Sequence, residues 1–284
     1  MHLSSYEKMK AFIDTYLIKY INEPLKILEI GSRVIPPQTS QRNLFENNSW
    51  IYKGLDIEPG ENVDIIPSDP YDWVEVEDNS FDVVISSQTF EHIPYFWVTA
   101  FEIGRVLKDG GLAIIIAPSS GTEHKFPFDT FRYFPDGFIK LSEYMGFKTI
   151  ETYWQYEDLL YEDGSDYNRD CCIIMQKPFF TKEQRNNFLI KNKINKLLLK
   201  NDLDIFKGLN LDFDTNKADK SIIKEESNKN CFINLHKKRK EKFSKTFLKI
   251  KKIKASIPII VDAFLGVKLS NFIFKIYPKM AKWK

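Results

Sequence analysis

Lys26-Ile27-Leu28-Glu29-Ile30-Gly31-Ser32, followed by Tyr52-Lys53-Gly54-Leu55-Asp56, decides the fold of this 284-residue chain. A short apolar run that breaks on a glycine reads as a buried parallel strand delivering the backbone to the carboxyl edge of a sheet. There Gly31 lacks the Cβ that would hold a ligand away. Asp56 follows Gly31 by 25 residues, near the ~20-residue offset at which an acid closing the second strand accepts from ribose hydroxyls. The pair points to an adenosine-containing cofactor. The turn Gly31-Ser32-Arg33-Val34-Ile35-Pro36-Pro37 holds one glycine where the dinucleotide fingerprint asks for three. The pyrophosphate cradle is therefore missing, and a cofactor with adenosine but no phosphate fits better than NAD or FAD.

Outward from this stretch, strand candidates recur at Val63–Ile66, Phe81–Ser86, Leu112–Ala117, Thr149–Tyr156 and Asp170–Gln176. Helical text separates several of them, so the alternation predicts an α/β fold with a mostly parallel sheet and an antiparallel hairpin at one edge. Ser4 with Glu7 three residues on reads as a capped start for an amphipathic helix ahead of the first strand. Phe90 to Leu107 reads as a helix stopped by Lys108-Asp109-Gly110-Gly111. Asp136 to Tyr144 and Gln184 to Leu199 are the other predicted helices.

The formal net charge of +2 hides a division. Residues 1–180 hold 15 Lys+Arg against 29 Asp+Glu, and residues 181–284 hold 26 against 10. This predicts an acidic cofactor-binding domain over 1–180 and a basic, mainly helical C-terminal region over 181–284. Cys171, Cys172 and Cys231 are odd in number and suit neither a disulfide framework nor a metal site. With no apolar leader and no long apolar span, a cytoplasmic protein is expected. No His/Cys/Asp cluster has ligand spacing in the sequence, so no metal is expected.

The series Leu28-Glu29-Ile30-Gly31, Asp56, Asp78-Asn79-Ser80-Phe81-Asp82-Val83-Val84-Ile85-Ser86-Ser87-Gln88-Thr89-Phe90-Glu91-His92-Ile93 and Arg105-Val106-Leu107-Lys108-Asp109-Gly110-Gly111 resembles the class I S-adenosylmethionine-dependent methyltransferases of small-molecule type. The resemblance covers about residues 25–180. It implies a Rossmann-like, seven-stranded, mostly parallel sheet whose last strand is antiparallel, and S-adenosyl-L-methionine as cofactor. It places Glu29 and Gly31 under the methionine end, Asp56 at the ribose, Ile57 against adenine, Asp69 (with Asp72 as the alternative) near the adenine amino group, and Ser87 and Gln88 beside the sulfonium, with Ser32 also among the cofactor-binding residues. It departs from the family in its single first-turn glycine, which leaves the path of Ser32 to Ser40 open.

Methyl transfer from a sulfonium is an in-line displacement, and well-oriented reactions gain up to ~7–11 kcal/mol from positioning. For a hydroxyl acceptor a base helps, and imidazole titrates near neutrality. Of four histidines, His92 and His124 fall at strand ends on the cofactor side. His92 reads as pocket support or as a direct substrate contact. His124 opens His124-Lys125-Phe126-Pro127-Phe128-Asp129-Thr130-Phe131-Arg132-Tyr133-Phe134-Pro135-Asp136. That segment resembles a pattern of capsule and lipopolysaccharide methyltransferases, which implies a sugar, a nucleotide sugar or a phosphoramidate substituent as acceptor. His124, Asp129, Arg132 and His92 form the expected catalytic set. Arg132 suits bidentate recognition of phosphate or carboxylate, so a small anionic acceptor is expected, and Asp129 reads equally as the residue orienting His124 or Arg132. Phe126, Phe128, Phe131 and Phe134 read first as loop anchors.

Residues 237–284 alternate lysines with apolar side chains. Peripheral contact with an anionic membrane at its inner face, nucleic-acid binding, and docking on the acidic domain of the same chain or of a homodimer partner compete there. Ser86-Ser87-Gln88-Thr89 stands where flipped-base methyltransferases carry a Pro-Pro-aromatic segment, which disfavours nucleic acid, and RNA methylation is kept as the alternative activity. Cofactor binding without turnover, as an assembly partner, is the non-enzymatic alternative.

Overall fold

The computed structural model describes residues 2–36, 40–200, 231–242 and 244–245. Six strands form one sheet in the order β2-β1-β3-β4-β6-β5. They are β1 (Leu25–Ile30), β2 (Trp50–Leu55), β3 (Phe81–Ser87), β4 (Leu107–Pro118), β5 (Lys148–Trp154) and β6 (Asp170–Gln176). β2, β1, β3 and β4 pair in parallel, while β6 runs antiparallel to both β4 and β5. The fold is thus α/β, mostly parallel and Rossmann-like, with the antiparallel last strand as expected.

The expected strand Val63–Ile66 does not form, so the sheet has six strands among the described residues rather than seven. Only an isolated bridge joins Leu55 to Ile65. Asn62 sits at φ 73°, which breaks an extended approach, and Pro67 supplies no N–H to prolong a ladder. The segment is held through Gly54 instead, whose carbonyl accepts from the N–H groups of Asp64 and Ile65.

Helix α1 (Leu3–Phe12) starts one residue before the expected serine, with His2 at its N-cap position. Ser4 is buried and donates to Asp170 Oδ2 at 2.8 Å, so it binds the sheet and does not cap the helix. The predicted helix from Phe90 divides into a 3₁₀ turn (Phe90–His92) and α2 (Phe96–Val106), with Pro94 between them. Lys108-Asp109-Gly110-Gly111 belongs to the start of β4, and Gly110 there takes φ 84°. Helix α3 (Pro135–Met145) has proline in its first turn and ends on Gly146 at φ 75°.

Two apolar layers fill the faces of the sheet. On one, Phe101 of α2 stacks on Phe188 of α4 (Lys182–Leu199) at 5.0 Å between ring centroids. On the other, Phe12, Tyr16 and Leu17 pack with Val83, Ile114 and Ile174, and Cys231 and Phe232 join them. Burying a ring such as Phe188 stabilises by about 1.5–3 kcal/mol. Helix α4 is also tied by polar contacts, Asn192 Nδ2 to Glu102 Oε1 at 3.0 Å and Lys196 Nζ to Glu102 Oε1 at 2.7 Å.

The charge division near residue 180 therefore falls inside packed structure. The first compact unit is Met1–Leu235, and the second is His236–Lys284. Apart from residues 237–242, 244 and 245, the basic stretch proposed for membrane, nucleic-acid or dimer contact lies outside the described residues. Among the described residues no helix is long and apolar enough to cross a membrane.

Candidate functional site

The carboxyl ends of β1, β2 and β3 open into a cavity of about 650 Å³, within the size range of sites that enclose a small molecule. The end of β1 puts Glu29 on its wall and the turn after it Gly31 and Ser32, the end of β2 adds Asp56 and Ile57, and the end of β3 adds Ser87 and Gln88. Seven of the eight residues expected at the cofactor thus line one cavity.

Asp69, the eighth, does not line it. Its carboxylate is 3.2 Å from Lys200 Nζ and accepts from the Tyr71 N–H at 2.8 Å. Asp72, the other acid of that loop, pairs with Lys196 at 2.7 Å. Pro70, Tyr71 and Trp73 reach the cavity from this loop instead. The two basic residues lie on and just past α4, which a reading confined to residues 25–180 leaves out.

Gly31 has φ 73° and lies so close to the next loop that a Cβ would come within 2.2 Å of Thr89 Oγ1. The glycine is required here twice over, by its dihedral and by Thr89. Asp56 Oδ2 accepts from the Arg33 N–H at 3.0 Å and Oδ1 from the Glu58 N–H at 3.1 Å, which fixes the carboxylate at the end of β2.

Glu29 is buried beneath the turn. Its Oε2 accepts from the Tyr52 hydroxyl and from Asn62 Nδ2 at 2.9 Å. Burial pushes its pKa up to about 7, against the opposing effect of those two hydrogen bonds. Tyr52 and Asn62 were not singled out in the sequence. Asn62 is the turn residue at positive φ, and that geometry carries its amide under β1.

The pocket fits S-adenosyl-L-methionine on these observations. The buried hydroxyls of Ser32 and Ser87 line it with no hydrogen-bond partner, a condition that a polar ligand relieves. Glu29 would take the ammonium, Asp56 the ribose hydroxyls, and Ile57, half exposed, the flat face of the base. Bound there, the cofactor supplies an electrophilic methyl group on a sulfonium. Gln88 takes φ 53° and turns its amide to Ser5 Oγ (2.9 Å) and Asp170 Oδ1 (2.8 Å), so its side chain braces α1 and β6 behind the wall.

The far end of the cavity holds Glu91, His92, His124, Phe126 and Phe128. His92 and His124, 32 residues apart, meet edge to face with ring centroids 5.0 Å apart. The loop after β4 docks on the segment after β3 to bring this about. Thr130 donates from N and Oγ1 to the Glu91 carbonyl at 2.7 and 2.8 Å, and the Tyr133 hydroxyl donates to the Phe90 carbonyl at 2.9 Å. His92 Nδ1 lies 2.6 Å from the Phe128 carbonyl and His124 Nδ1 lies 3.0 Å from that of Thr122. A carbonyl only accepts, so each Nδ1 carries a proton, and in the neutral ring the lone pair is then on Nε2. Burial lowers the pKa of His92.

Asp129 and Arg132 do not line the cavity. Arg132 donates in fork geometry to both Asp129 oxygens, at 2.5 and 2.9 Å, and to the Thr122 and Phe131 carbonyls. Asp129 Oδ2 also accepts from the His124 N–H at 2.8 Å, and the guanidinium holds its carboxyl well below the usual range. The pair clips the loop from behind, in place of the direct anion contact expected of Arg132. Phe126 and Phe128, expected as anchors, are half exposed and face the cavity, whereas Phe131 packs on Phe96 at 5.0 Å.

Glu91 is the residue whose weight the sequence did not reveal. It is fully buried, neither carboxylate oxygen has a hydrogen-bond partner, and burial pushes its pKa up to about 8. Against the sequence expectation of no metal site, one ligand atom each from Glu91, His92 and His124 lie within 4.8 Å of one another.

Residues 42–115 match the family described as "Methyltransferase domain". No curated protein matches the chain. Among solved structures it is similar to an S-adenosylmethionine-dependent methyltransferase from Archaeoglobus fulgidus (18% identity, 61% of this chain and 95% of that one, TM-score 0.42). It is similar as well to one from Aquifex aeolicus (14%, 61% and 96%, 0.40) and to the [4+2]-cyclase SpnF (13%, 61% and 81%, 0.46). The family match runs from ahead of β2 into β4 and spans the strand ends that carry Asp56, Ser87 and Gln88; the chain is an S-adenosylmethionine-dependent methyltransferase, with S-adenosyl-L-methionine as its cofactor.

Proposed function

We propose that this enzyme methylates a hydroxyl of a small anionic acceptor, of the sugar, nucleotide-sugar or phosphoramidate class used in surface polysaccharide assembly. One observation carries the reading. Beyond Ser87 and Gln88, the cavity wall ends in Glu91, His92 and His124, and among the described residues no other part of the wall brings two imidazoles and a carboxylate together. Methylation of a hydroxyl requires that its proton be drawn off or its oxygen's developing charge be favoured as the methyl arrives. Lys125, at the cavity lip, and the loop's resemblance to capsule enzymes support an anionic acceptor.

The test is transfer of labelled methyl from S-adenosylmethionine into a panel of nucleotide sugars and fractionated cell-surface precursors, with RNA as the competing acceptor. Label in a base-stable ether on a sugar-class acceptor is the expected result. Label confined to RNA, or to nitrogen, would replace the reading.

A further inference from the structure

We propose that Glu91, His92 and His124 bind a divalent transition-metal ion at the acceptor end of the cavity. The inference deepens the function proposed above and rests on it only for the acceptor's charge. The ion site itself stands on three observations.

The first is the ligand set. Two imidazoles and a carboxylate on one side of an open cavity suit ions such as zinc, manganese or iron(II), with positions left free for a small molecule. Glu91 Oε1 and His92 Nε2 are 3.7 Å apart, and two ligands each about 2.1 Å from one ion lie within about 4.2 Å of each other. One ligand atom of His124 lies within 4.8 Å of those of Glu91 and His92, which completes the set.

The second is the outer contacts. Both Nδ1–H groups are directed to backbone carbonyls, of Phe128 and Thr122. Metal-bound histidines are oriented in this way, with the second nitrogen donating to a carbonyl or carboxylate while the first faces the ion. The loop clip of Asp129 and Arg132 fixes the His124 backbone from behind.

The third is the carboxylate. Buried polar groups are paired, and a side chain as enclosed as Glu91 without one partner calls for an account. Thr130 satisfies its main-chain carbonyl and leaves its carboxylate directed into the histidine pair. A divalent ion there would satisfy both histidines and the acid at once. It would also add local charge. Glu91 alone offers an anionic acceptor no positive charge, whereas Glu91 with a divalent ion leaves one net positive charge facing it.

The experiment is calorimetric titration of zinc, and separately manganese, into the untagged, chelator-treated full chain with no acceptor present. One site per chain is expected. Glu91→Gln, His92→Ala and His124→Ala should each weaken it by at least the ~10–100-fold that loss of an outer contact alone costs. Asp14→Asn, an exposed carboxylate paired with Lys10, should leave it within threefold. Thermal melting of each variant identifies any that fail to fold, and for those His92→Gln or Glu91→Ala takes its place. Absence of one-site binding to wild type, or binding kept in Glu91→Gln and His124→Ala, overturns the proposal. The titration reads no methyl transfer, so an enzyme that methylates sugars without an ion, or binds an ion yet methylates something else, separates the two ideas.

Discussion

Gln88 Nε2 donates to Asp170 Oδ1 at 2.8 Å, while Asp170 Oδ2 lies 3.1 Å from the fully buried Lys8 ammonium. A residue on the wall of the cofactor cavity is thereby tied to an ion pair between α1 and β6. Lys8 also donates to Gln155 Oε1 at 2.8 Å. Removing one partner of such a pair leaves an uncompensated buried charge, at a cost of about 3–5 kcal/mol. Lys8→Met should lower urea stability by that amount, and adding Asp170→Asn should restore more than half of it. If Lys8→Met costs less than about 1 kcal/mol, the pair is not closed to water as described.

Gly31→Ala should weaken cofactor binding and stability together. Its φ of 73° strains any residue with a Cβ, and that Cβ would lie within 2.2 Å of Thr89 Oγ1. Backbone strain of this type costs about 1–3 kcal/mol, before the clash is counted. Thr89→Ala added to Gly31→Ala should recover part of the loss, because it opens space but leaves the dihedral. Melting temperature and S-adenosylhomocysteine affinity report the two effects, and full recovery would show that φ is not strained.

Glu29 gives a pH dependence with a defined sign. Burial raises its folded pKa to about 7 from an ordinary value of 4.5. The folded state thus holds the proton more tightly, and this contribution to stability is complete below about 4.5 and is lost as pH rises through 7. A shift of that size corresponds to something on the order of 3 kcal/mol. Glu29→Gln should flatten stability between pH 5 and 8, a range of about 3 units around this titration. Cofactor binding should move the other way, tightening as pH rises through about 7, because the ionised carboxylate suits an ammonium. Stability curves of wild type and Glu29→Gln with equal slopes would place the carboxylate's pKa elsewhere.

The strand ends were legible because their signals are local. Ile27 to Gly31 and Leu55-Asp56 carry apolar runs, a glycine and an acid in the order that a parallel sheet imposes. Local pattern also misled. Val63–Ile66 has strand composition, but Asn62 at positive φ and Pro67 leave it one bridge. Loop position points to Asp69, but its partner Lys200 is 131 residues away, beyond the reach of any motif. Glu91, His92 and His124 were all visible as residues, yet their grouping depends on Thr130 and Tyr133 docking one loop on another. Such pairings follow from tertiary packing and leave no spacing in the sequence.

The two ways of reading Arg132 predict different kinetics. If the guanidinium bound the acceptor, Arg132→Ala would raise KM for charged acceptors alone, and Asp129→Ala would release the arginine and leave binding intact or improved. The observed fork, with Asp129 also accepting from the His124 N–H, makes the pair a positioning device for His124. Asp129→Ala and Arg132→Ala should then lower kcat/KM alike, and the double variant should be no worse than either single one, as for residues acting as a unit. His124→Ala should cost about 10²–10⁴-fold, the range for loss of a positioned acid–base group. Arg132→Lys should fail to rescue, since an ammonium cannot span both carboxylate oxygens. Affinity for S-adenosylhomocysteine should stay unchanged in all five variants, because none of these residues belongs to the Glu29–Asp56 end of the cavity. A KM effect restricted to anionic acceptors in Arg132→Ala, with Asp129→Ala near wild type, would return Arg132 to direct contact with the acceptor.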